Sequence, residues 1–312
     1  MTTKAKRKKA RAESLRRRTW ALRMALWSAL LIGAVTVIAL VVLSGGGGGG
    51  DSGGRSSRFA ALHEFDTADY HSLAFDPSNP QVVLFGHHNG LQRSEDGGKT
   101  WETVVDEEGW DALNTVFDPF SPETIYVAGH NVFFRSDDGG EVWEEVRTNL
   151  PSLDLHTFGA SADKQGRLYA IPAGEGLYVS EDGGQQWQLV SADVPQGSNS
   201  VVELPGGTLL LGATDQGILR SEDGGKTWTQ SRTGIDIGAI YAIRGTPKGE
   251  RLYAGTDHGV YASVDGGRNW TKTALDDTWV IALGVDPSDQ QTVLAVNRNG
   301  ELYRSSDGGQ TW

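Results

Sequence analysis

Polar and apolar residues follow two different rhythms along this 312-residue chain. Near its start, residues 24–43 (MALWSALLIGAVTVIALVVL) run for 20 positions without a charge. As a helix such a run reaches about 30 Å, the thickness of a bilayer core, and predicts one transmembrane span. After residue 58 no long apolar run recurs. Short β-branched and aromatic pieces such as 82–85 (VVLF), 168–170 (LYA) and 252–254 (LYA) are separated by Gly-, Asn- and Asp-containing turns. They lack a helical period and read as short strands. Residues 44–57 (SGGGGGGDSGGRSS) join the two regions. Glycine has no side chain to pack, so this segment predicts a flexible tether.

The strand region is built from one repeated unit. SEDGGKTW at 94–101 returns as SDDGGEVW at 136–143, SEDGGQQW at 180–187, SEDGGKTW at 221–228, SVDGGRNW at 263–270 and SSDGGQTW at 305–312. A period of about 40 residues with four short strands in each unit predicts a β-propeller. Each signature sits between two strands, where its paired glycines supply the positive φ that a hairpin needs. Its aspartate can accept backbone N–H groups within the turn, and its tryptophan can pack between neighbouring blades. The chain ends at Trp312, inside the sixth signature, so the sixth unit has three strands of its own. Residues 58–65 (RFAALHEF) have the length of the missing fourth strand and predict closure of the ring from the N-terminal side. The alternative is a longer chain with a seventh blade.

The motif S-x-D-G-G-x-x-W resembles the Asp-box, or BNR, repeat of sialidases, sortilin-type receptors, xyloglucanases and the Ycf48-like photosystem II assembly factors. The turns FDPSNPQ at 75–81, FDPFSPET at 117–124 and VDPSDQQ at 285–291 resemble inter-strand turns of the same proteins. HHNGLQRSEDGGKTW at 87–101 is similar to small bacterial exported proteins labelled glycosyl hydrolase. The resemblance covers 58–312 and implies an all-β, six-bladed propeller with Asp-box hairpins. It also implies that the signatures lie on the face away from any active site. Asp96, Asp138, Asp182, Asp223, Asp265 and Asp307 are then scaffold. Calcium there is the sharper alternative, but a short D-G-G turn supplies too few ligands.

Charge orients the chain. Residues 1–23 hold ten Lys/Arg and one Glu, leaving 18 basic against 39 acidic residues beyond. Basic residues stay on the cytoplasmic side of a span. The predicted organisation is therefore a cytoplasmic basic arm (1–23), a transmembrane helix (24–43), a tether (44–57) and an extracytoplasmic propeller (58–312) in the cell membrane. A cleaved signal peptide is the alternative, disfavoured by the long basic region and the absence of an A-x-A site. An acidic propeller repels nucleic acid. The absence of cysteine excludes disulfides, thiolate zinc sites and a lipoprotein anchor.

Candidate chemistry lies on the face opposite the signatures. Six residues before each signature serine stand His88, His130, Gly174, Asp215, Asp257 and Asn299, followed by Asn89, Asn131, Glu175, Gln216, His258 and Gly300. His87 and Arg298 adjoin them, and other loops of this face contribute His71, Asp111, His156, Asp236 and Asp277. All histidines except His63 map to this rim. Polar loops need no function. The sharper reading is a ring that binds an anion, a sugar or a metal, with no cofactor otherwise implied. Sialidases use three clustered arginines. Here Arg93, Arg135, Arg220 and Arg304 recur immediately before signature serines and read as blade structure, so sialidase activity is not expected. No nucleophile elbow, phosphate loop or dinucleotide fingerprint occurs. The expected function is a monomeric binding or assembly module for a protein or glycan ligand, without assigned catalytic residues. An extracellular glycoside hydrolase is the alternative.

Overall fold

The computed structural model describes residues 59–312 apart from 68, 196, 232, 233, 236, 237 and 247. The basic arm, the apolar run and the Gly-rich segment lie outside the described residues, as does Asp236. Residues 57–312 form one compact unit. Among the described residues all regular structure is β, and no helix is long and apolar enough to cross a membrane.

Six four-stranded antiparallel sheets make the blades of a propeller. Blade 1 runs through Tyr70–Phe75, Val83–His87, Gly90–Ser94 and Glu102–Asp106. Blades 2 to 5 repeat that order, beginning with Asn114–Asp118, Leu155–Ala160, Ser198–Leu204 and Ile240–Gly245. Blade 6 uses Val280–Val285, Val293–Asn297 and Glu301–Ser305, and takes its fourth strand, His63–Glu64, from the N-terminal side. There His63 pairs with Leu302 and Glu64 with Glu301, flanked by Leu62 N–H donating to Leu302 O (2.7 Å) and Phe65 N–H to Gly300 O (2.9 Å). Phe65 is buried and stacks on Phe85 of blade 1 at 3.7 Å between ring centroids. One aromatic side chain thus joins the last blade to the first; burying it contributes about 1.5–3 kcal/mol.

The Asp-box face is nearly identical in every blade. In blade 1, Asp96 Oδ1 accepts from Lys99 N–H (3.0 Å), Thr100 N–H (2.9 Å) and Ser94 Oγ (2.9 Å), while Ser94 Oγ accepts from Gly98 N–H (2.9 Å). The other five signatures repeat the bonds from the two backbone N–H groups and the serine hydroxyl to the aspartate. With the carboxylate saturated inside its own turn, these bonds stabilise the ionised form. The Asp307 carboxyl is held down to about 2 by the Thr311 hydroxyl and backbone N–H.

The arginines preceding the serines tie blades together. Arg93 donates to Gly139 O of the next box (3.3 Å), Arg220 to Gly266 O (2.8 Å), and Arg304 closes the ring onto Gly97 O (2.9 Å). In blade 5 Ala262 occupies that position, and Arg251, just before the strand Leu252–Thr256, reaches Gly308 O instead (3.3 Å). Trp187 and Trp270 are buried, and Trp187 packs with Phe133 and Phe158 of two adjacent blades. The other signature tryptophans are half-buried.

Candidate functional site

On the opposite face the blades differ from one another. A shared backbone device prepares this difference. In blades 1, 3, 4, 5 and 6 the pairing of first and second strands shifts by one residue near the mouth. The extra residues are His71, His156, Asn199, Tyr241 and Ile281. A bulge leaves its extra residue outside the ladder and re-aims the side chain. Three of the five are histidine or tyrosine, and all three belong to the groups described below.

The first group centres on Asp111, in the loop that enters blade 2. Its side chain is 3% exposed. Ala112 N–H donates to His87 O (3.1 Å), pinning the loop to the end of blade 1. Gly129 has no room for a side chain: a Cβ there would lie 1.8 Å from Asp111 O. Glycine at this point lets the blade 2 strand pass directly beside the Asp111 backbone.

Asp111 Oδ2 accepts a short hydrogen bond from His130 Nδ1 and lies 3.5 Å from His88 Nδ1. Its Oδ1 lies 3.2 Å from His71 Nε2, without the alignment of a hydrogen bond. Burial alone would raise the Asp111 carboxyl, but the His130 bond and the neighbouring His71 outweigh it and hold the group well below the usual carboxylate range. The same bond raises His130 against the effect of its own burial.

Beyond His130 the group continues into blade 3. His130 Nε2 is 3.1 Å from His156 Nε2 and 3.6 Å from Asp154 Oδ1, and His156 Nε2 is 3.1 Å from Asp154 Oδ1. Backbone bonds hold all three in place. His130 and Asp154 form a β-bridge, Asn131 N–H donates to Leu153 O (2.9 Å), and Leu155 N–H to Gly129 O (3.1 Å). Asn131 takes the left-handed conformation (φ 61°) that this turn requires, which asparagine tolerates. Asp69, His71 and His88 form a second set of converging ligand atoms.

A different chemistry occupies blades 5 and 6. Trp279 is 43% exposed, with Tyr241 stacked at 6.2 Å and the Arg298 guanidinium over its ring at 4.6 Å. Arg298 N–H donates to Trp279 O (2.9 Å), fixing the pair. Burial raises the Tyr241 hydroxyl first, and the charge of Asp257 adds to it. His258 Nε2 lies 3.9 Å from Asp257 Oδ1. Away from the mouth, toward the Asp-box end of the first strands, where residues of several blades line a cavity that forms the ring's channel, Arg244 donates to Ser200 Oγ (3.0 Å) and Ile243 O (2.9 Å). Protein surrounds this guanidinium, although the channel leaves it partly accessible, and burial lowers it to about 10.

The expected rim residues therefore separate into groups. His71, His88, His130 and His156 converge with Asp111, whereas Asp257, His258 and Arg298 belong with Tyr241 and Trp279. Asp215 stands exposed on the blade 4 turn and joins neither group. His87 is buried below the mouth, where its Nδ1 accepts from Asn89 N–H (3.3 Å), because its backbone is still part of the second strand. Asp277 has left-handed backbone (φ 53°) and lies 4.0 Å from Lys272. Asp69, Asp154, Tyr241, Arg244 and Trp279 were not anticipated. Trp279 carried a signal: outside residues 1–58 it is one of two tryptophans not in a signature, and the other, Trp110, is buried against Phe134.

Residues 89–202 match the family model described as Sortilin-Vps10: Sortilin, neurotensin receptor 3. No curated protein matches the sequence. Among solved structures, "YCF48 bound to D1 peptide" is similar with 21% identity over 80% of this chain and 83% of that one, at a TM-score of 0.53. YCF48 from Cyanidioschyzon merolae is 18% identical over 81% and 86% of the two chains, TM-score 0.53. The GH74 xyloglucanase from Xanthomonas campestris is 16% identical over 82% of this chain, TM-score 0.54; this chain spans 54% of its length. At such identities the likeness establishes the fold they share.

Proposed function

We propose that this Asp-box propeller is a binding module that captures a protein segment at the mouth opposite its Asp-boxes, and that residues 24–43 hold it at the outer side of a membrane. The observation that carries the reading is Trp279: a large aromatic ring left exposed while Tyr241 and Arg298 fix its position. A fixed, exposed aromatic beside an arginine is the residue pairing that concentrates binding energy at protein interfaces. Likeness to a YCF48 that was solved bound to D1 peptide supports capture of a protein segment. The acidic balance beyond residue 23 favours basic partners, captured less well as salt rises.

The test is capture from a membrane extract at low salt by the wild-type chain and by Trp279→Ala in parallel. A defined partner retained by the first and lost by the second is the expected result. Recovery of the same proteins by both would remove the basis for the proposal.

A stacking ring near Asp257 also suits a sugar, which keeps an extracellular glycoside hydrolase as the second reading. Hydrolysis needs two carboxyl groups about 5–9.5 Å apart across the bond. Asp111 is poorly suited to that task, since it is buried and committed to His130. Turnover of chromogenic glycosides that is abolished by Asp257→Asn would establish this reading in place of the first.

A further inference from the structure

We propose that His130, Asp154 and His156 form a site for a divalent transition metal of the zinc class, positioned by Asp111. A zinc ion bound ~2.0–2.1 Å from three ligands at near-tetrahedral angles spaces those ligands ~3.4 Å apart. The three edges here are 3.1, 3.1 and 3.6 Å. The triangle already has the dimensions of one face of a tetrahedron. Two imidazoles with one carboxylate is a donor set that suits zinc and its neighbours rather than calcium or magnesium, which take oxygen ligands.

The hydrogen-bond pattern points the same way. His130 Nδ1 is committed to the buried Asp111 carboxylate, which fixes the ring and turns Nε2 toward the other two ligands. A carboxylate behind the outer nitrogen of a histidine is the usual support of a metal ligand, because it sets tautomer and orientation together. Two Nε2 atoms facing each other at 3.1 Å can share at most one proton. Asp154 Oδ1, a buried atom lying between them, makes no aligned hydrogen bond. A cation seated over the triangle satisfies all three atoms at once.

Local chain structure explains why the ligands meet. Asp154 and His156 stand two apart, and the bulge that takes His156 out of the ladder re-aims its ring so that it meets the Asp154 carboxylate. Asn114 Nδ2 donates to Leu155 O (3.1 Å) and His156 O (3.4 Å), and Ala173 N–H to Asp154 O (2.8 Å), which anchors that segment on both sides. The side chains of His130, Asp154 and His156 are 42, 40 and 46% exposed, so an ion can enter and one coordination position faces solvent.

The test uses the 312-residue chain, stripped with chelator and titrated with Zn²⁺ by calorimetry, with Co²⁺ as a spectroscopic probe of nitrogen-containing coordination. One equivalent of zinc should bind to the wild type. His156→Ala and Asp154→Asn should abolish that binding and the cobalt absorption while leaving the melting temperature of the metal-free protein in place. Asp111→Asn should weaken binding about 10–100-fold, as expected when the supporting group behind a ligand is lost. Asp215→Asn, at an exposed position that joins neither group of this face, should bind as the wild type does. Failure of the wild type to bind zinc stoichiometrically would overturn the proposal. So would undiminished zinc binding and an unchanged cobalt spectrum in both His156→Ala and Asp154→Asn.

Discussion

The two faces of this ring are built by opposite rules. On the Asp-box face six turns repeat one hydrogen-bond pattern, and Arg93, Arg220, Arg251 and Arg304 tie blades to the next box at four of the six junctions. On the other face five strands carry the same bulge, yet the bulged residue is histidine in blades 1 and 3, asparagine in blade 4, tyrosine in blade 5 and isoleucine in blade 6. Repetition marks what every blade needs in order to exist. Variation at a fixed backbone position marks what individual blades do. A residue on the first face should act on stability, and one on the second on binding.

The sharpest break of that comparison is the ring closure, which belongs to the scaffold but is made once. A chain beginning at Asp69 lacks the strand His63–Glu64 and Phe65, and should lose most of its cooperative thermal transition. Phe65→Ala in the intact chain should cost about 3–5 kcal/mol, the usual penalty for removing a buried phenylalanine. Chemical denaturation of both variants checks this; a chain from Asp69 as stable as the parent would mean that the strand does not close the ring.

Trp187→Ala should cost a similar ~3–5 kcal/mol, because the indole is buried between blades 2 and 3. Trp143→Ala, at the same signature position but half-buried, should cost less. Equal losses in denaturant titrations would show that the signature, rather than inter-blade burial, sets the contribution.

The fold was legible because each repeat states its own local structure. The serine, the aspartate and the backbone of a signature bond to one another within eight residues, and Trp101, Trp187 and Trp270 join them, so no partner from elsewhere in the chain has to be guessed. The closing strand was legible by subtraction, since the sixth unit lacked one. The rim was legible only as a list of polar turn residues. Asp111 meets His71, His88 and His130 across three loops, and His130 meets Asp154 and His156 of another blade; no local spacing encodes such meetings. The bulges were invisible for the same reason: a one-residue shift depends on how two strands register. That shift made Tyr241 a rim residue, as it did His71 and His156, though its strand reads as ordinary core.

A smaller effect is the acid sensitivity of the Asp-box face. The Asp265 and Asp307 carboxyls are held at about 2 by bonds from Asn269 and Thr311, below their value of ~3.9 in an unfolded chain. Their folded pKa is depressed, so the stability they contribute is complete above about pH 4 and is lost as pH falls through 2. Thermal melts from pH 5 to pH 2 should therefore fall steeply below pH 4, and Asp307→Asn should flatten that slope. A slope unchanged by the substitution would place the acid sensitivity elsewhere.

The division of labour between the faces is tested most directly by measuring melting temperature and partner capture together in Trp279→Ala and Trp187→Ala. Trp279 is exposed and outside the signature, so its loss should change stability by ~1 kcal/mol or less and abolish capture. Trp187→Ala should melt far earlier, yet capture the partner normally at temperatures where it remains folded. The account is contradicted if Trp279→Ala retains capture, or if it lowers the melting temperature as much as Trp187→Ala.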